Sequence, residues 1–507
     1  MAIPLKRRDF IRMTGAAAAG GLLPGPLPFS PGLETKKRPN VLFIIVDDLR
    51  PETGCYGSEL VKTPHIDRLA RRGLVFSRAY CQQAVCNPSR ASLLTGLRPD
   101  TLRVWDNETH FRKRNPDVIT LPQLFLNNGY ESLRIGKIFH NTLPDPPSWN
   151  QPEPIIPINE IYMSPKTRAR QQERAAAARK IGRSEAWINA YIRGPATEAH
   201  DAPDALYWDG AVASAAIAAL WKFRKKAPFF LGLGFMRPHL PFVAPKRYWD
   251  LYKREDIPLP QNYFLPKDAP RFAMNFLTEL ASYEDFVRAP NPTEGQLSQD
   301  QARLLRHGYF ACVSFIDAQI GRVLDALDHL ELRETTIVVL LGDHGWKLGE
   351  HGSWGKLTNY ECDTRSTLII SAPGQTDAGG ATSALAEFVD IYPTLCELAG
   401  LERPQNLEGL SLVPLFQNPD RPWKTAVFSQ FARGYFNRFM GRAVRTERYR
   451  YVEWRDRLDS RLVAAELYDH ETDPLENENI ASRPGNEELV KQLAQILSLG
   501  WQAAKPK

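Results

Sequence analysis

Cysteine is scarce in this chain, long hydrophobic runs are missing, and the charges nearly balance. Six cysteines in 507 residues are too few for a scaffold held together by disulfides. No segment is apolar for the roughly 18 residues that a membrane-spanning helix needs, so we predict no transmembrane anchor. A net charge of only +6 argues against a nucleic-acid-binding protein. The sequence also has no G-x-x-x-x-G-K-[ST] loop, which argues against a nucleotide phosphotransferase.

The first thirty residues have the pattern of an export signal. Arg7 and Arg8, followed by Phe10 and Ile11, precede a short stretch rich in alanine and glycine. A basic segment before a short apolar one is typical of a signal peptide, and the paired arginines resemble a bacterial twin-arginine signal. We therefore predict a signal peptide over residues 1–30, export by the twin-arginine translocase, and a periplasmic or secreted location.

Apolar runs alternate with helical patterns along the chain. Residues 41–46, 229–235 and 335–341 are continuous apolar runs, which is typical of strands buried on both faces. Residues 207–222 and 310–330 have helical spacing and separate these strands. The alternation predicts an α/β fold with a large, mostly parallel sheet flanked by helices. In such sheets, ligands bind at the carboxyl ends of the strands.

The pattern changes toward the carboxyl terminus. After residue 417 the segments become shorter and alternate, as in Y-R-Y-V at residues 449–452. We therefore predict a catalytic domain over residues 38–417 and a smaller α+β subdomain with an antiparallel sheet over residues 418–507. Within the first of these, residues 168–183 read as a charged helix with a solvated face. Residues 256–292 are irregular and rich in proline, and we expect them to wall a substrate pocket.

Acidic residues follow two of the predicted strands. Asp47 and Asp48 come directly after the first strand, and Asp343 and His344 come after the third. Three carboxylates at neighbouring strand ends repel each other unless a cation neutralises them. Oxygen ligands suit calcium, with magnesium also possible. The sequence therefore predicts a divalent-cation site made of Asp47, Asp48, Asp343 and His344.

Two further motifs carry a family resemblance. Residues 86–96 read C-N-P-S-R-A-S-L-L-T-G, and residues 129–140 read G-Y-E-S-L-R-I-G-K-I-F-H. They resemble the C-x-P-S-R and G-K-x-x-H signatures of the type I formylglycine-dependent sulfatases, which have an alkaline-phosphatase-like fold. The resemblance extends over residues 38–480 and, through R-P-H-L-P-F and G-D-H-G-W-K-L-G-E-H-G, is closest to the iduronate-2-sulfatase branch. Most sulfatases have asparagine at the position of His344, whereas that branch has histidine.

The resemblance implies a covalent mechanism. A formylglycine-generating or anaerobic sulfatase-maturating enzyme would oxidise Cys86 to formylglycine, whose hydrate attacks sulfur. Arg90 would hold the charged diol, and Lys137 and Lys356 would contact sulfate. His140 would act as the base on the hemiacetal, and His239 would protonate the sugar oxygen, because an alkoxide is a poor leaving group. The implied catalytic set is Cys86, Arg90, Lys137, His140, His239 and Lys356.

The implied substrate is a sulfated oligosaccharide, cleaved from its end at a 2-O-sulfated uronate. We expect substrate contacts from Asp106, Asn107, His110 and Trp346. Basic residues that could meet a carboxylate are Arg103, Arg112 and Lys347. Two alternatives remain open at this point. One is a phosphonate or phosphodiester hydrolase of the same superfamily, and the other is a non-catalytic protein that binds sulfated glycans and keeps Cys86 as a thiol.

Overall fold

A seven-stranded mixed sheet lies at the centre of the protein in the computed structural model. The structure describes residues 38–158, 160–226, 228–375, 379–434 and 437–506. The predicted signal over residues 1–30 lies outside these ranges. Among the described residues, no helix is both long enough and apolar enough to cross a membrane.

The strands and helices are numbered in chain order. The strands are β1 (Asn40–Val46), β2 (Leu74–Phe76), β3 (Ala79–Tyr80), β4 (Glu131–Gly136), β5 (Thr197–His200), β6 (Phe229–Phe235), β7 (Phe242–Pro245), β8 (Thr336–Gly342), β9 (Lys347–Leu348), β10 (Trp354–Gly355), β11 (Arg365–Ser366), β12 (Leu368–Ser371), β13 (Gly380–Thr382), β14 (Ala386–Glu387), β15 (Ala426–Arg433), β16 (Phe439–Thr446), β17 (Tyr449–Asp456) and β18 (Leu462–Asp469). The helices are α1 (Pro64–Ala70), α2 (Cys86–Thr95), α3 (Pro99–Leu102), α4 (Leu121–Asn127), α5 (Pro165–Lys180), α6 (Glu185–Tyr191), α7 (Trp208–Phe223), α8 (Lys246–Trp249), α9 (Gln299–His329), α10 (Glu361–Thr364), α11 (Ile391–Ala399), α12 (Val413–Gln417) and α13 (Glu487–Leu499).

The main sheet has the strand order β13-β2-β12-β8-β1-β6-β4. The four strands from β8 to β4 are parallel, whereas β12 runs antiparallel to both β8 and β2. The predicted mostly parallel sheet is therefore confirmed, with antiparallel pairing toward one edge. All three predicted buried strands are present, and β8 is shifted by one residue from the prediction.

Helices cover both faces of this sheet. Along β1, the side chains of Leu42, Ile44 and Val46 pack into one hydrophobic core with α7 and α9. The alternate residues of β1 pack into a second core with α2 and α11 on the opposite face. Successive strand residues point to opposite faces, so a strand covered on both sides must be apolar throughout. This explains why β1 reads as a continuous apolar run.

Helix α9 begins eleven residues before the predicted start at residue 310. Ser298 caps it: its side chain accepts from the backbone N–H of Gln301, while the Gln301 side chain accepts from the backbone N–H of Ser298. This reciprocal capping box fixes the helix start. The first turns of α9 are more polar than the rest, so hydrophobic spacing alone placed the start too late.

A four-stranded antiparallel sheet, in the order β15-β16-β17-β18, forms a smaller subdomain near the carboxyl terminus. It lies wholly within the predicted segment 418–507. Leu493 of α13 packs on this sheet against Val444, Tyr451 and Leu467. Gln430 of β15 donates its backbone N–H to the carbonyl of Gln82 at 2.9 Å. The subdomain thus contacts the segment that leads into α2.

Candidate active site

The predicted site residues follow the carboxyl ends of four adjacent parallel strands. Val46 of β1 pairs with Phe235 of β6 and Gly342 of β8, and Gly136 of β4 pairs with Gly234 of β6. Because these strands end at nearly the same level, the residues that come next lie side by side. They are Asp47 and Asp48 after β1, Lys137 and His140 after β4, His239 after β6, and Asp343 and His344 after β8.

Cys86, the first residue of α2, lies among these residues. Its Sγ atom is 3.5 Å from Oδ1 of Asp47, 3.5 Å from Nε2 of His344 and 3.6 Å from Nζ of Lys356. Every residue of α2 is buried. Burial raises the pKa of the Cys86 thiol to about 11, and the charge of Asp47 adds to this effect. The unmodified side chain is therefore a neutral thiol near pH 7, which is a weak nucleophile.

Arg90 connects α2 to two of the strand ends. Its fully buried guanidinium donates from Nε to Oδ2 of Asp343 at 2.8 Å, and its Nη2 lies 3.4 Å from Oδ1 of Asp47. Its Nη1 donates to the carbonyl of Ile138 at 3.0 Å. Lys137 donates in turn to Oδ2 of Asp47. These charge-assisted bonds fix α2 against the ends of β1, β4 and β8, which positions Cys86.

The predicted metal ligands lie together. Asp47, Asp343, His344 and Cys86 present ligand atoms that all lie within 4.8 Å of one another. Asp48 adjoins this group, because its Oδ1 is 3.5 Å from Nδ1 of His344 and its backbone N–H donates to Oδ1 of Asp343 at 3.1 Å. All are buried. Three buried carboxylates beside an imidazole are a donor set that fits a divalent cation.

Lys356 and His239 both lie close to Asp48. Lys356 Nζ donates to both carboxylate oxygens of Asp48, at 2.7 and 3.0 Å. The Nε2 atom of His239 is 3.2 Å from Oε1 of Glu279, and its Nδ1 is 2.7 Å from the carbonyl oxygen of Leu240. Each ring nitrogen therefore lies within reach of an oxygen atom.

The surroundings of His239 oppose its protonation in the absence of an anion. Burial lowers the pKa of His239 to about 4, and the positive charge of Lys356 lowers it further, while Glu279 acts in the opposite direction. A negatively charged ligand beside the ring raises this pKa by favouring the imidazolium form.

His140 is partly exposed, and its Nδ1 is 3.1 Å from Oγ1 of Thr142. Burial lowers the pKa of His140 to about 4, with contributions from the charges of Lys137 and Arg90. The imidazole is therefore neutral near pH 7. A neutral imidazole can accept a proton, as the predicted base must.

The predicted substrate-contacting residues after α2 make hydrogen bonds within their own loop, to α2 and to the segment after β4. Asp106 accepts the backbone N–H of Thr109 at 2.6 Å. Asn107 accepts the backbone N–H of Asn87, next to Cys86, at 3.1 Å. His110 Nδ1 accepts the backbone N–H of Arg112 at 3.1 Å, and its Nε2 lies 2.9 Å from the carbonyl of Pro144. These side chains shape the loop beside α2.

Trp346, the fourth predicted substrate contact, is buried beside the catalytic groups. Lys356 Nζ lies 5.0 Å from the centre of a Trp346 ring, and the His239 ring centre is 6.5 Å away. The indole N–H of Trp346 is buried and finds no hydrogen-bond partner among the described residues.

Two basic residues expected to meet a substrate carboxylate already have acidic partners. Lys347 is fully buried and donates to Asp363 at 2.8 Å and to Thr358 at 2.7 Å. Arg112 forms a bidentate pair with Asp145, with one distance of 2.8 Å. The expectation that Lys347 and Arg112 meet a substrate carboxylate is therefore wrong. Each side chain instead forms an ion pair within the protein that supports the fold. Arg103 is exposed and has a left-handed backbone conformation.

Glu279 and Arg237 belong to the site and were not predicted. Glu279 comes from the irregular segment 256–292 and contacts His239, so that segment does reach the site. Arg237 follows β6 and donates from Nη1 to the carbonyl of His239 at 2.7 Å. Arg237 lies in the R-P-H-L-P-F motif that carries the resemblance. Hydrophobic periodicity and spacing give no signal for Glu279, because the backbone path around it is irregular.

Comparison with known proteins agrees with this geometry. The family model described as Sulfatase matches residues 39–401, and the model described as N-sulphoglucosamine sulphohydrolase, C-terminal, matches residues 349–501. The chain belongs to the sulfatase family, and it is a sulfuric ester hydrolase. It is 36% identical to the iduronate 2-sulfatase of Mus musculus, over 87% of this chain and 90% of that protein.

Two solved structures share the fold. One is a protein in complex with its substrate D-glucosamine-2-N,6-O-disulfate, which matches with a TM-score of 0.72 at 23% identity and covers 92% of this chain and 98% of its own. The other is the phosphonate monoester hydrolase of Agrobacterium radiobacter, with a TM-score of 0.69 at 25% identity, covering 92% of this chain and 96% of its own. The alkaline-phosphatase-like architecture predicted from the sequence is confirmed.

Proposed function

We propose that the protein removes sulfate from a sugar with a nucleophile made from Cys86. The observation that carries this proposal is the position of Cys86 Sγ, within 3.6 Å of an acidic, an imidazole and an ammonium group. Family membership and the similarity to an iduronate 2-sulfatase support a sulfated sugar as the substrate.

Two groups that the sequence implies complete the chemistry. Oxidation of Cys86 by a formylglycine-generating or anaerobic sulfatase-maturating enzyme would supply a hydrated aldehyde at residue 86. One of its hydroxyls would be the nucleophile toward sulfur, and loss of the proton from the other would re-form the aldehyde as the C–O bond to sulfate breaks. A calcium ion held by Asp47, Asp48, Asp343 and His344, with magnesium as the alternative, would supply positive charge at the sulfate oxygens and lower the pKa of the attacking hydroxyl.

The surrounding side chains supply positive charge and transfer protons. Arg90 and Lys137 bring positive charge to the nucleophile at residue 86, and Lys356 brings it to the sulfate oxygens, where charge develops in the transition state. His140 accepts a proton in its neutral form. His239 holds a proton once the anionic ester is bound, and it transfers that proton to the sugar oxygen as the S–O bond breaks.

We further propose an exo-acting enzyme that acts on a 2-O-sulfated uronate. The identity to the mouse iduronate 2-sulfatase over most of both chains supports this substrate. The test is a matched pair of disaccharides, 2-O-sulfated at the non-reducing end, with and without the uronate carboxylate. A higher kcat/KM on the carboxylated member supports the proposal. Preference for the neutral sugar, or cleavage inside long chains, contradicts it.

A phosphonate or phosphodiester hydrolase is the second candidate. The likeness to the phosphonate monoester hydrolase of Agrobacterium radiobacter favours it. The test compares kcat/KM of the matured protein on nitrophenyl sulfate and on nitrophenyl phenylphosphonate. We expect the sulfate to be the better substrate. A faster reaction with the phosphonate would make the second candidate the main activity.

Export by the twin-arginine route stays a prediction. The twin-arginine translocase carries folded proteins, so Cys86 would be oxidised in the cytoplasm before transport to the periplasm or beyond. Replacing Arg7 and Arg8 by lysine should retain the precursor in the cytoplasm, as measured by cell fractionation. Unimpaired export of that variant contradicts the prediction.

A further inference from the structure

The turn after β6 carries His239, the predicted acid, to the catalytic cluster. The backbone N–H of His239 donates to the carbonyl of Met236 at 2.9 Å, and Nη1 of Arg237 donates to the carbonyl of His239 at 2.7 Å. Both bonds lie within the turn, so they fix its shape but do not attach it to a neighbouring element. The place of His239 relative to the nucleophile therefore depends on other contacts.

Asp209 attaches this turn to helix α7. Its Oδ1 atom accepts the backbone N–H of Met236 at 2.6 Å, although the two residues are 27 positions apart in the chain. Asp209 lies in the first turn of α7, and its exposed fraction is only 3%. Further along the same helix, Val212 and Ala216 belong to the same hydrophobic core as Leu233 of β6. Because close-packed cores are rigid, α7 gives the carboxylate a fixed position.

The carboxylate of Asp209 is destabilised where it lies. Burial raises the pKa of Asp209 to about 6, whereas the charge of Arg237 and the backbone N–H groups of Met236 and Arg237 act in the opposite direction. These contacts only partly offset the loss of water around the charge. Buried carboxylates with a raised pKa occur often at functional sites, which supports a part for Asp209 beyond packing.

Packing leaves the turn after β6 incompletely supported. A cavity of about 260 Å3 lies against it, with Asp209, Met236 and Arg237 among the lining residues. Atoms that face a cavity lack contacts on that side, so the turn has room to move when a hydrogen bond is lost. The bond from Met236 to Asp209 is therefore a contact whose removal should displace His239.

We propose that Asp209 is a positioning residue, which holds the turn after β6 so that His239 meets the oxygen of the leaving sugar. A general acid must lie within hydrogen-bond reach of the atom that it protonates, and a displacement of about 1 Å can reduce the rate about 100-fold. Asp209 acts through Met236 and the turn, and it is not itself a donor to the substrate. This inference rests on the proposed function, because it takes His239 to be the acid.

Matched substitutions at two buried carboxylates test the inference. Asp209→Ala removes the acceptor for Met236, whereas Asp209→Asn keeps an oxygen acceptor in a side chain of nearly the same size. The control is Asp204→Ala: Asp204 is also buried, but its Oδ2 accepts from the Tyr248 hydroxyl at 2.6 Å and from Gln319 at 2.7 Å. All variants are made in full-length, matured protein, and kcat/KM is measured on nitrophenyl sulfate and on a 2-O-sulfated disaccharide.

We expect Asp209→Ala to lower kcat/KM on the disaccharide by about tenfold or more beyond its effect on the aryl ester, because only the sugar needs the proton donor. Most of this loss should lie in kcat. Asp209→Asn should recover most of the activity on the disaccharide, and Asp204→Ala should change both substrates by the same factor. Equal losses on the two substrates in Asp209→Ala, no recovery in Asp209→Asn, or a selective loss in Asp204→Ala would overturn the inference.

A double-mutant cycle shows whether Asp209 acts through His239. In protein that already carries His239→Ala, Asp209→Ala should produce no further selective loss on the disaccharide, because the acid is absent. A further loss as large as that in the wild type would overturn the inference. Asp209→Ser, whose shorter side chain draws the acceptor back from Met236, replaces Asp209→Ala if that variant does not fold, with the same outcomes expected.

Backbone hydrogen exchange separates failure of this inference from failure of the proposed function. Exchange in the peptide that contains residues 236–239 should be faster in Asp209→Ala than in the wild type, and unchanged in Asp204→Ala. If matured wild-type protein hydrolyses no sulfate ester, the proposed function fails, and the exchange rates still show whether Asp209 holds the turn. If sulfate esters are hydrolysed but Asp209→Ala affects both substrates equally, or leaves exchange unchanged, the function stands and the inference is excluded.

Discussion

The ammonium group of Lys356 lies 2.7 Å from the carboxylate of Asp48, although the two residues are 308 positions apart in the chain. The pair is fully buried and lies between the Cys86 thiol and the His239 ring. Asp48 is a predicted cation ligand and also lies near His239, the predicted acid. The cation site and the acid are therefore neighbours of the same carboxylate. Removing the lysine leaves that carboxylate buried without its closest positive partner, which is costly.

Lys356→Ala should reduce kcat/KM on sulfate esters by about 100-fold or more, because a buried positive charge is lost where charge develops in the transition state. The measurement is steady-state kinetics on matured protein, with circular dichroism to check the fold. Lys246→Ala is the control, because the ion pair that Lys246 makes with Asp250 is exposed. Wild-type activity in a folded Lys356→Ala protein would contradict the assigned part of this lysine.

His239→Ala should affect sugar sulfates far more than nitrophenyl sulfate. A sugar alcohol is a poor leaving group and needs a proton donor, whereas nitrophenolate does not. General acid catalysis contributes about 10²- to 10⁴-fold, so we expect a loss in that range on a sulfated disaccharide and a much smaller one on the aryl ester. Equal losses on both substrates would show that His239 binds sulfate and does not act as the acid.

Removal of the divalent cation should lower both activity and thermal stability. An ion that binds only the folded protein stabilises it by mass action, by about 2.7 kcal/mol when its concentration is 100 times its Kd. Chelation should therefore lower Tm in the wild type, and calcium should restore it. Asp343→Asn should lose most of this response, because a ligand charge is removed. An unchanged Tm after chelation, with no metal found by elemental analysis, would rule out the site.

Acid should destabilise the protein partly through Glu476. Burial alone would raise the pKa of this carboxyl, but Arg450, 2.6 Å away, and His470 lower it to about 2 from an ordinary 4.5. A lowered pKa in the folded state contributes stability above the unfolded pKa, and this contribution is lost as pH falls from 4.5 toward 2. The difference corresponds to about 3 kcal/mol.

Denaturant unfolding between pH 7 and pH 2.5 checks this expectation. Glu476→Gln cannot ionise, so its stability should fall less steeply with acid than that of the wild type. Glu402→Gln is the control, because Glu402 is exposed. Parallel pH profiles for the wild type and Glu476→Gln would show that this carboxyl does not contribute.

Much of the site was predictable because it is built on strand ends. Asp47 and Asp343 meet because β1 and β8 are buried parallel neighbours in register, and buried parallel strands have a strong signature in sequence. Cys86, Arg90 and Lys137 lie in short motifs, so their positions relative to the strands follow from the resemblance. The strand ends and the motifs together therefore predict that the cation ligands lie close to the nucleophile.

The remaining residues depend on tertiary contacts that no local pattern reveals. Glu279 lies outside the motifs, and only the folded chain brings it near His239. The sequence suggests Lys347 as a partner for a substrate carboxylate, yet Lys347 is buried and donates to Asp363 of α10 at 2.8 Å.

The identity of residue 86 in active protein tests the central claim most directly. Matured protein from a host with a formylglycine-generating enzyme is digested, and the peptide that contains residues 86–90 is analysed by mass spectrometry alongside sulfatase assays of the same sample. The account predicts an aldehyde at residue 86 in the active sample, and no activity in Cys86→Ala protein that remains folded. Only a free thiol at residue 86 in a sample with full sulfatase activity would contradict it.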